Sequence, residues 1–160
     1  MKIYLGADHG GYKLKEKIKT WLAEWGFSAV GGPASGWEYE DLGAHSLVEG
    51  DDYPDYAFPV AKKVASEPGS LGILACRSGQ GECVAANKVK GVRAAVAWSQ
   101  ESSQSARNDD DVNILCLAAD HVGMAEQKQI IRVFLSTPFG AEERFKRRIE
   151  KIKQFESNSQ

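Results

Sequence analysis

Short apolar runs alternate along the chain with stretches whose apolar residues recur every three to four positions. That is the pattern of a parallel sheet covered by helices, because each strand crossover must return the chain through a helix. Lys2 to Leu5 reads as the first strand. After Gly10 and Gly11, Tyr12 to Trp25 places Leu14, Ile18, Trp21, Leu22 and Trp25 at helical spacing with lysines opposite, and Gly26 ends the helix. Phe27 to Val30 reads as a second strand. Gly31 to Asp52 is acidic, polar and irregular, a loop insertion longer than compact domains usually carry, and is either a functional lid or a poorly ordered excursion. Asp55 to Ser66 predicts a helix with Phe58, Ala61, Val64 and Ala65 on one face, broken by Pro68-Gly69. Gly72 to Cys76 is a buried strand running into the turn Arg77-Ser78-Gly79-Gln80-Gly81, after which Glu82 to Lys88 is helical. The pattern then predicts a strand at Gly91 to Trp98, a helix at Gln100 to Arg107, a fifth strand at Asn113 to Leu117 and a helix at Val122 to Ser136. It closes on a basic helix at Ala141 to Phe155. With no repeat or composition break, residues 1–160 form one α/β domain with a five-stranded, mainly parallel sheet. Trp21, Trp25 and Trp98 are most simply core residues.

Composition narrows the function classes. The chain has 160 residues, 42% hydrophobic and 26% charged, which excludes disorder. Its 20 Lys and Arg against 22 Asp and Glu set a net charge of -2, so no global field draws nucleic acid or an anionic membrane. The longest apolar runs fall far short of the roughly 20 residues that span a bilayer. The first residues read as a strand rather than a secretory leader, which points to a cytoplasmic protein. The three cysteines, Cys76, Cys83 and Cys116, are odd in number and lack CxxC spacing, so they suit reduced thiols rather than disulfides or a metal site.

Ligands of an open parallel sheet bind beyond the carboxyl ends of its strands, and three such ends carry polar residues. The first is Gly6-Ala7-Asp8-His9-Gly10-Gly11, a carboxylate and an imidazole at the mouth of a helix, where Asp8 would otherwise serve only as a cap. The second is Cys76-Arg77-Ser78-Gly79-Gln80-Gly81-Glu82, whose glycines let backbone amides approach an anion. A thiolate there, at a helix start beside Arg77, would have a depressed pKa, and Glu82 is a second candidate base. The loop has neither the GxGxxG fingerprint nor the Lys-Ser/Thr ending of a P-loop. The third is Arg107-Asn108-Asp109-Asp110-Asp111, where Asp111 is most simply a solvated turn residue. On the last helix, Arg144 and Arg148 are four residues apart, and so share one face that can clamp a phosphate.

Asp8-His9-Gly10-Gly11, Asp52-Tyr53-Pro54-Asp55-Tyr56-Ala57, the run Cys76 to Glu82, Ala85-Ala86-Asn87-Lys88, Gly91-Val92-Arg93-Ala94 and Arg144 with Arg148 together resemble the type B ribose-5-phosphate isomerase family, which includes galactose-6-phosphate isomerase subunits. The resemblance runs in order along nearly the whole chain. It implies a Rossmann-like three-layer α/β/α sandwich, a homodimer or dimer of dimers with sites at subunit interfaces, and cofactor-free aldose-ketose isomerisation through an enediolate, as in the pentose phosphate pathway. It implies no metal. Family members use as base either a cysteine at the position of Cys76 or a glutamate at that of Glu82, and this chain has both. A carboxylate needs less tuning than a thiol to be ionised at neutral pH, which favours Glu82. Backbone amides from Arg77 to Gly81 would form the anion hole, and Asp8, His9 and Tyr53 would line the sugar pocket.

Three departures bear on specificity. Where the family usually has a ring-opening histidine followed by asparagine, this chain has Asp109 and Asp110; where it commonly has an arginine for the phosphate, this chain has Asp120; and Arg77 replaces a usual glycine. These changes leave three readings: a sugar-phosphate isomerase with shifted specificity, a non-catalytic or partner-dependent sugar-phosphate-binding paralogue, and an isomerase of an unphosphorylated sugar.

Overall fold

The computed structural model describes residues 1–31 and 36–158. Its elements run β1 (Lys2–Ala7), α1 (Tyr12–Glu24), β2 (Ser28–Ala29), β3 (Glu38–Asp41), α2 (Pro54–Ser66), β4 (Leu71–Cys76), α3 (Gln80–Ala86), β5 (Ala94–Val96), α4 (Gln100–Asp110), β6 (Ile114–Ala118), α5 (Met124–Ser136) and α6 (Glu143–Asn158). The sheet has six strands in the order β2-β3-β1-β4-β6-β5, and every recorded pairing is parallel. Side-chain alternation along the strands builds two cores. Ile3, Leu5, Ile73, Leu115 and Leu117 face α1 and α5, where Leu14, Ile18, Trp21, Ile130 and Phe134 meet them. Tyr4, Leu74, Ile114 and Cys116 face α2 and α3, against Val60, Ala61, Val64 and Ala86.

This layering positions the site. From β1 the chain leaves through α1 towards β2 and β3, and from β3 it crosses by α2 to β4 on the other side of β1. The order of connection therefore reverses between the neighbouring strands β1 and β4, and a crevice opens at their carboxyl ends. Those ends carry Asp8-His9 and Cys76-Arg77. The helix α1 begins so close to β4 that a Cβ on Gly11 would lie 1.7 Å from the Ala75 carbonyl oxygen, so only glycine fits there.

The structure corrects the five-stranded expectation. Glu38-Tyr39-Glu40-Asp41, inside the expected loop, is a strand paired with β1, and pairing continues past it through Leu42, with Ala44 N–H donating to the Ala7 carbonyl at 2.8 Å. Its composition hid it, because acidic residues are poor strand formers. Cationic partners satisfy them: Lys2 pairs with Glu40 at 3.3 Å, and the buried Lys15 pairs with Asp41, which also accepts from Lys19 and from the Gly43 N–H. Residues 32–35 of that loop lie outside the described residues. Two core assignments also change. Trp98 is 68% exposed at the end of β5, where the chain leaves the sheet edge, and α2 buries Ala57, Val60, Ala61 and Val64 while Phe58 and Ala65 face outward. That face packs against Tyr4, Leu74 and Ile114 of the sheet. Trp21 is buried, and Trp25 packs half-buried against the same core.

The Lys15–Asp41 pair ties α1 to the strand that leads into the site loop. A buried cation left without its partner is costly, whereas a well-packed apolar pair is not. Lys15 keeps Glu16 at 2.8 Å when Asp41 is removed, so Asp41→Ala is expected to lower unfolding free energy by about 1–3 kcal/mol, and the double replacement Lys15→Met/Asp41→Leu by less. Urea denaturation distinguishes them; equal losses would show that the pair adds nothing beyond packing.

Candidate active site

Three elements converge at the β1/β4 crevice. The β1–α1 turn brings Asp8, buried, with Oδ1 accepting from the Gly11 N–H at 3.0 Å, so Asp8 does brace the helix entry. The β4–α3 turn brings Cys76 to Gly81. The chain between Ala44 and Pro54 arches over both. A cavity of about 550 Å³ opens here, lined by His9, Gly10, Lys13, Leu47, Glu49, Gly50, Arg77 and Asp120. The loop segment therefore covers the site, as a lid would. Tyr53, half exposed, lays its ring on Gly81, where a Cβ would come within 2.9 Å of Cε1.

Neither candidate base lines this cavity: Cys76 ends β4 immediately before Arg77, and Glu82 follows on the first turn of α3. Cys76 is 4% exposed and Glu82 fully buried, and among the described residues neither Glu82 carboxyl oxygen has a hydrogen-bond partner. Burial pushes the Glu82 carboxyl well above the usual carboxylate range, and the neighbouring Asp8 charge pushes it further. Burial also raises the Cys76 thiol, with the Glu82 charge adding to the shift. Both results correct the sequence-based expectations. The Cys76 thiol is not depressed, because the Arg77 guanidinium points away to Asp120, 3.3 Å from its Oδ2, and the Gly79 N–H donated to Sγ at 3.1 Å is outweighed by burial. Nor is Glu82 an ordinary ionised carboxylate. Two amides expected in the anion hole are already engaged, Gly79 N–H by Cys76 Sγ and Gln80 N–H by Ser78 Oγ at 3.3 Å.

Sequence reasoning missed two residues. Lys13, on the first turn of α1, lines the cavity. Asp51 reaches in from the overarching loop, and its Oδ1 accepts from the His9 backbone N–H at 2.8 Å and meets His9 Nδ1 at 2.7 Å. The one signal for Asp51 was its place immediately before Asp52-Tyr53-Pro54. Burial opposes ionisation of Asp51, but the bonds from the His9 backbone and ring outweigh it and hold the carboxyl below its usual range.

Other expected site residues are elsewhere in the chain. The helix α4 runs back from the carboxyl end of β5 to the amino end of β6, so Asp109 and Asp110 lie at the opposite edge of the sheet from Cys76 and Glu82. Asp109 accepts from the Asn108 side chain at 2.7 Å, and the Asn108 carbonyl accepts from Gly140 N–H at 2.9 Å, which pins the start of α6 to the same edge. Arg144 and Arg148 are both exposed on α6, and Arg144 Nε bonds Glu142 at 2.8 Å. None of these four lines the 550 Å³ cavity. Asp111 is no solvated turn residue: it takes Arg93 at 2.7 Å and Arg107 at 2.8 Å. Asn87 of the Ala-Ala-Asn-Lys run is structural too, bonding both the N–H and the carbonyl of Ala94 to anchor β5.

Comparison with known proteins agrees with this geometry. The family model described as Ribose/Galactose Isomerase matches residues 3–152. Ribose-5-phosphate isomerase B of Mycobacterium leprae is 37% identical over 160 residues, covering 100% of this chain and 93% of that protein. The crystal structure of ribose-5-phosphate isomerase B from Mycoplasma genitalium with bound ribulose-5-phosphate superposes with a TM-score of 0.89 at 38% identity, covering 99% of this chain and 97% of that one. The Clostridium thermocellum ribose-5-phosphate isomerase B gives a TM-score of 0.89 at 36% identity, with 100% of both chains covered. An α/β/α sandwich whose buried carboxyl and polar crevice sit at the sheet's switch point is that of a sugar isomerase, and the chain belongs to the Ribose/Galactose Isomerase family. Like its relatives, it is an aldose-ketose isomerase of sugar phosphates.

The buried Glu82 carboxyl has a consequence for stability. The folded chain keeps a proton that the unfolded chain releases near pH 4.3, so above about that pH folding binds a proton and stability falls as the pH rises towards the folded pKa. Glu82→Gln is neutral at every pH and escapes this loss. Its melting temperature relative to the parent is expected to climb as the pH rises above about 4.3. A difference that stays constant across that range would show Glu82 to be ionised in the fold.

Proposed function

We propose that the chain interconverts ribose 5-phosphate and ribulose 5-phosphate without a cofactor, with Glu82 as the base that carries the proton between C2 and C1. The observation behind this assignment is the partnerless, buried Glu82 carboxyl at the carboxyl end of β4, between Asp8 and Cys76. A general base works best when its pKa approaches the operating pH, and burial moves a carboxyl in that direction but a thiol away from it. Cys76 stays a thiol beside the base. Asp8, His9, Tyr53, Ser78 and the amides of the 77–81 turn other than those of Gly79 and Gln80 contact the sugar, and Lys13 and Arg77 supply positive charge at the cavity rim. Arg77 compensates Asp120 directly by pairing with it. Lys13 and Arg77 are matched in this cavity by Glu49 and Asp120, so the surplus positive charge a phosphate needs falls to Arg144 and Arg148 of a second copy.

The active unit in this reading is a homodimer. Arg144, Arg148, Asp109 and Asp110 lie at the far edge of their own chain, and a second copy packed with its strands reversed brings them to this crevice. The edge strand β5 and its flanking helices expose Val84, Trp98 and Met124, large apolar residues suited to such an interface. The protein acts on small molecules in the cytoplasm, in keeping with its three free thiols.

Proton NMR in deuterated water tests both parts. The parent protein is expected to convert ribose 5-phosphate with solvent deuterium entering at the exchanged carbon. Glu82→Gln is expected to lose about 10²-fold or more of that rate and Cys76→Ala much less. The reverse ranking would make Cys76 the base, and no exchange with any aldose phosphate would leave only a binding role. Mixing inactive Glu82→Gln with inactive Arg148→Ala after subunit exchange restores about a quarter of parental activity if sites are shared, because half the dimers are mixed and each has one intact site. No recovery would show each site to be complete within one chain.

A further inference from the structure

We propose that the chain carries a second binding site, for an organic phosphate, in the cavity of about 680 Å³ at the amino ends of β1, β4 and β6. Met1, Ser70 and Asn113, the residues that precede those strands, line it. The parallel sheet sets it at the opposite end from the crevice, roughly 20 Å away along the six residues of β4. The site is separate from the isomerase reading and does not depend on which residue is the base.

Charge and donor geometry define the ligand. Among the side chains that line the cavity, Arg93, Arg107 and Lys153 are cationic and Asp111 alone is anionic. Glu156, behind the lining, turns both carboxylate oxygens to the Gly91 N–H at 3.2 Å, and counting it still leaves a positive excess on a chain whose net charge is -2. Both guanidiniums are held in place. Arg93 bonds the Asp111 carboxylate at 2.7 Å and the Asp110 carbonyl at 3.0 Å. Arg107 bonds Asp111 at 2.8 Å and the Val112 carbonyl at 2.7 Å, with the Phe134 ring against it. Their side chains are 16% and 13% exposed, so water screens an anion there less than on an open surface. Donor capacity remains, because Arg107 Nε has no hydrogen-bond partner among the described residues and Lys153 stands exposed at the rim. Fixed, planar guanidinium forks match phosphate oxygens in pairs, and the excess charge suits a dianion. Pro68, Leu71, Leu135 and Pro138 add an apolar wall, and the volume is that of a small-molecule pocket rather than of a bare ion site. The ligand is therefore a phosphomonoester on an apolar body.

The helix α6 leaves this cavity accessible in the proposed homodimer. Lys153 follows Arg144 by nine residues, and at about 100° per residue the two lie on opposite faces of the helix. The face that lines the cavity is thus not the one turned to a partner.

Naphthyl phosphate, a dianionic phosphomonoester with an apolar body and no sugar hydroxyls, is the probe. Calorimetric titration of the intact protein is expected to show binding that is weakened about 10-fold or more in Lys153→Glu, whose kcat and KM for ribose 5-phosphate stay parental, and is unchanged in Arg148→Ala. Arg107→Lys keeps the charge but loses the fork, and is expected to weaken binding about as much. Loss of binding in Arg148→Ala with none in Lys153→Glu would put the ligand in the catalytic crevice and overturn the proposal. So would the absence of saturable binding at millimolar probe, or equal affinity for naphthoate, a monoanion. Backbone amide NMR of the parent protein gives a reading free of any variant: titration is expected to shift Gly69, Gly91 and Thr137, and shifts confined to Gly10 and Gly50 of the crevice would refute the site.

Discussion

A carboxyl group shut away from water beside the end of a parallel strand, with no side-chain partner among the described residues, is the constraint around which this structure is arranged. Glu82 sits on the first turn of α3, and its position depends on three close packings: α1 against β4 at Gly11, Tyr53 against Gly81, and the left-handed Gly79 that turns the chain into α3. Such a group costs stability at neutral pH, since burial favours its neutral form, and a fold keeps it only where something else requires it. Proton transfer between adjacent carbons of a sugar is such a requirement. The reversal of strand order between β1 and β4 supplies the place, and the arch from Ala44 to Pro54 supplies the cover.

Charge around the crevice is organised in pairs. Arg77 with Asp120, His9 with Asp51 and Lys15 with Asp41 each join a basic side chain on one segment to a carboxylate on another. The buried pair fixes the β1–β3 edge, the half-buried pair fixes the imidazole, and the exposed pair stands at the rim, where solvent screening makes its contribution to stability small. The cationic residues of α6 have no comparable setting in their own chain. In the homodimer proposed above, Arg144, Arg148 and the Asp109–Asp110 corner join a site across the interface between copies.

Much of this was legible in the sequence. Alternating periods of two and 3.6 marked eleven of the twelve elements, and the strand-end positions of Asp8-His9 and Cys76-Arg77 followed from topology alone. The β3 strand was not legible, because Glu38-Tyr39-Glu40-Asp41 lacks an apolar run and is stabilised by lysines from Lys2 and α1 that only the fold brings near. The protonation states were misread for a related reason: a pKa depends on burial and on the direction of Arg77, neither of which residue spacing reveals. Asp51 was hidden because its partner lies 42 positions away. The motif residues Asn87 and Arg93 were visible as a pattern, yet the structure gives them a structural part, anchoring β5 and holding the end of α4.

Isomerisation here requires Glu82 to be a base with a raised pKa, and the pH dependence of kcat/KM for ribose 5-phosphate measures that most directly. If Glu82 must lose its proton before it can act, kcat/KM climbs with pH beyond the ordinary glutamate range of about 4.3, and Glu82→Gln removes the dependence along with most of the rate. A rate already at its plateau near pH 5, or a Glu82→Gln variant that keeps the parental profile, would contradict it.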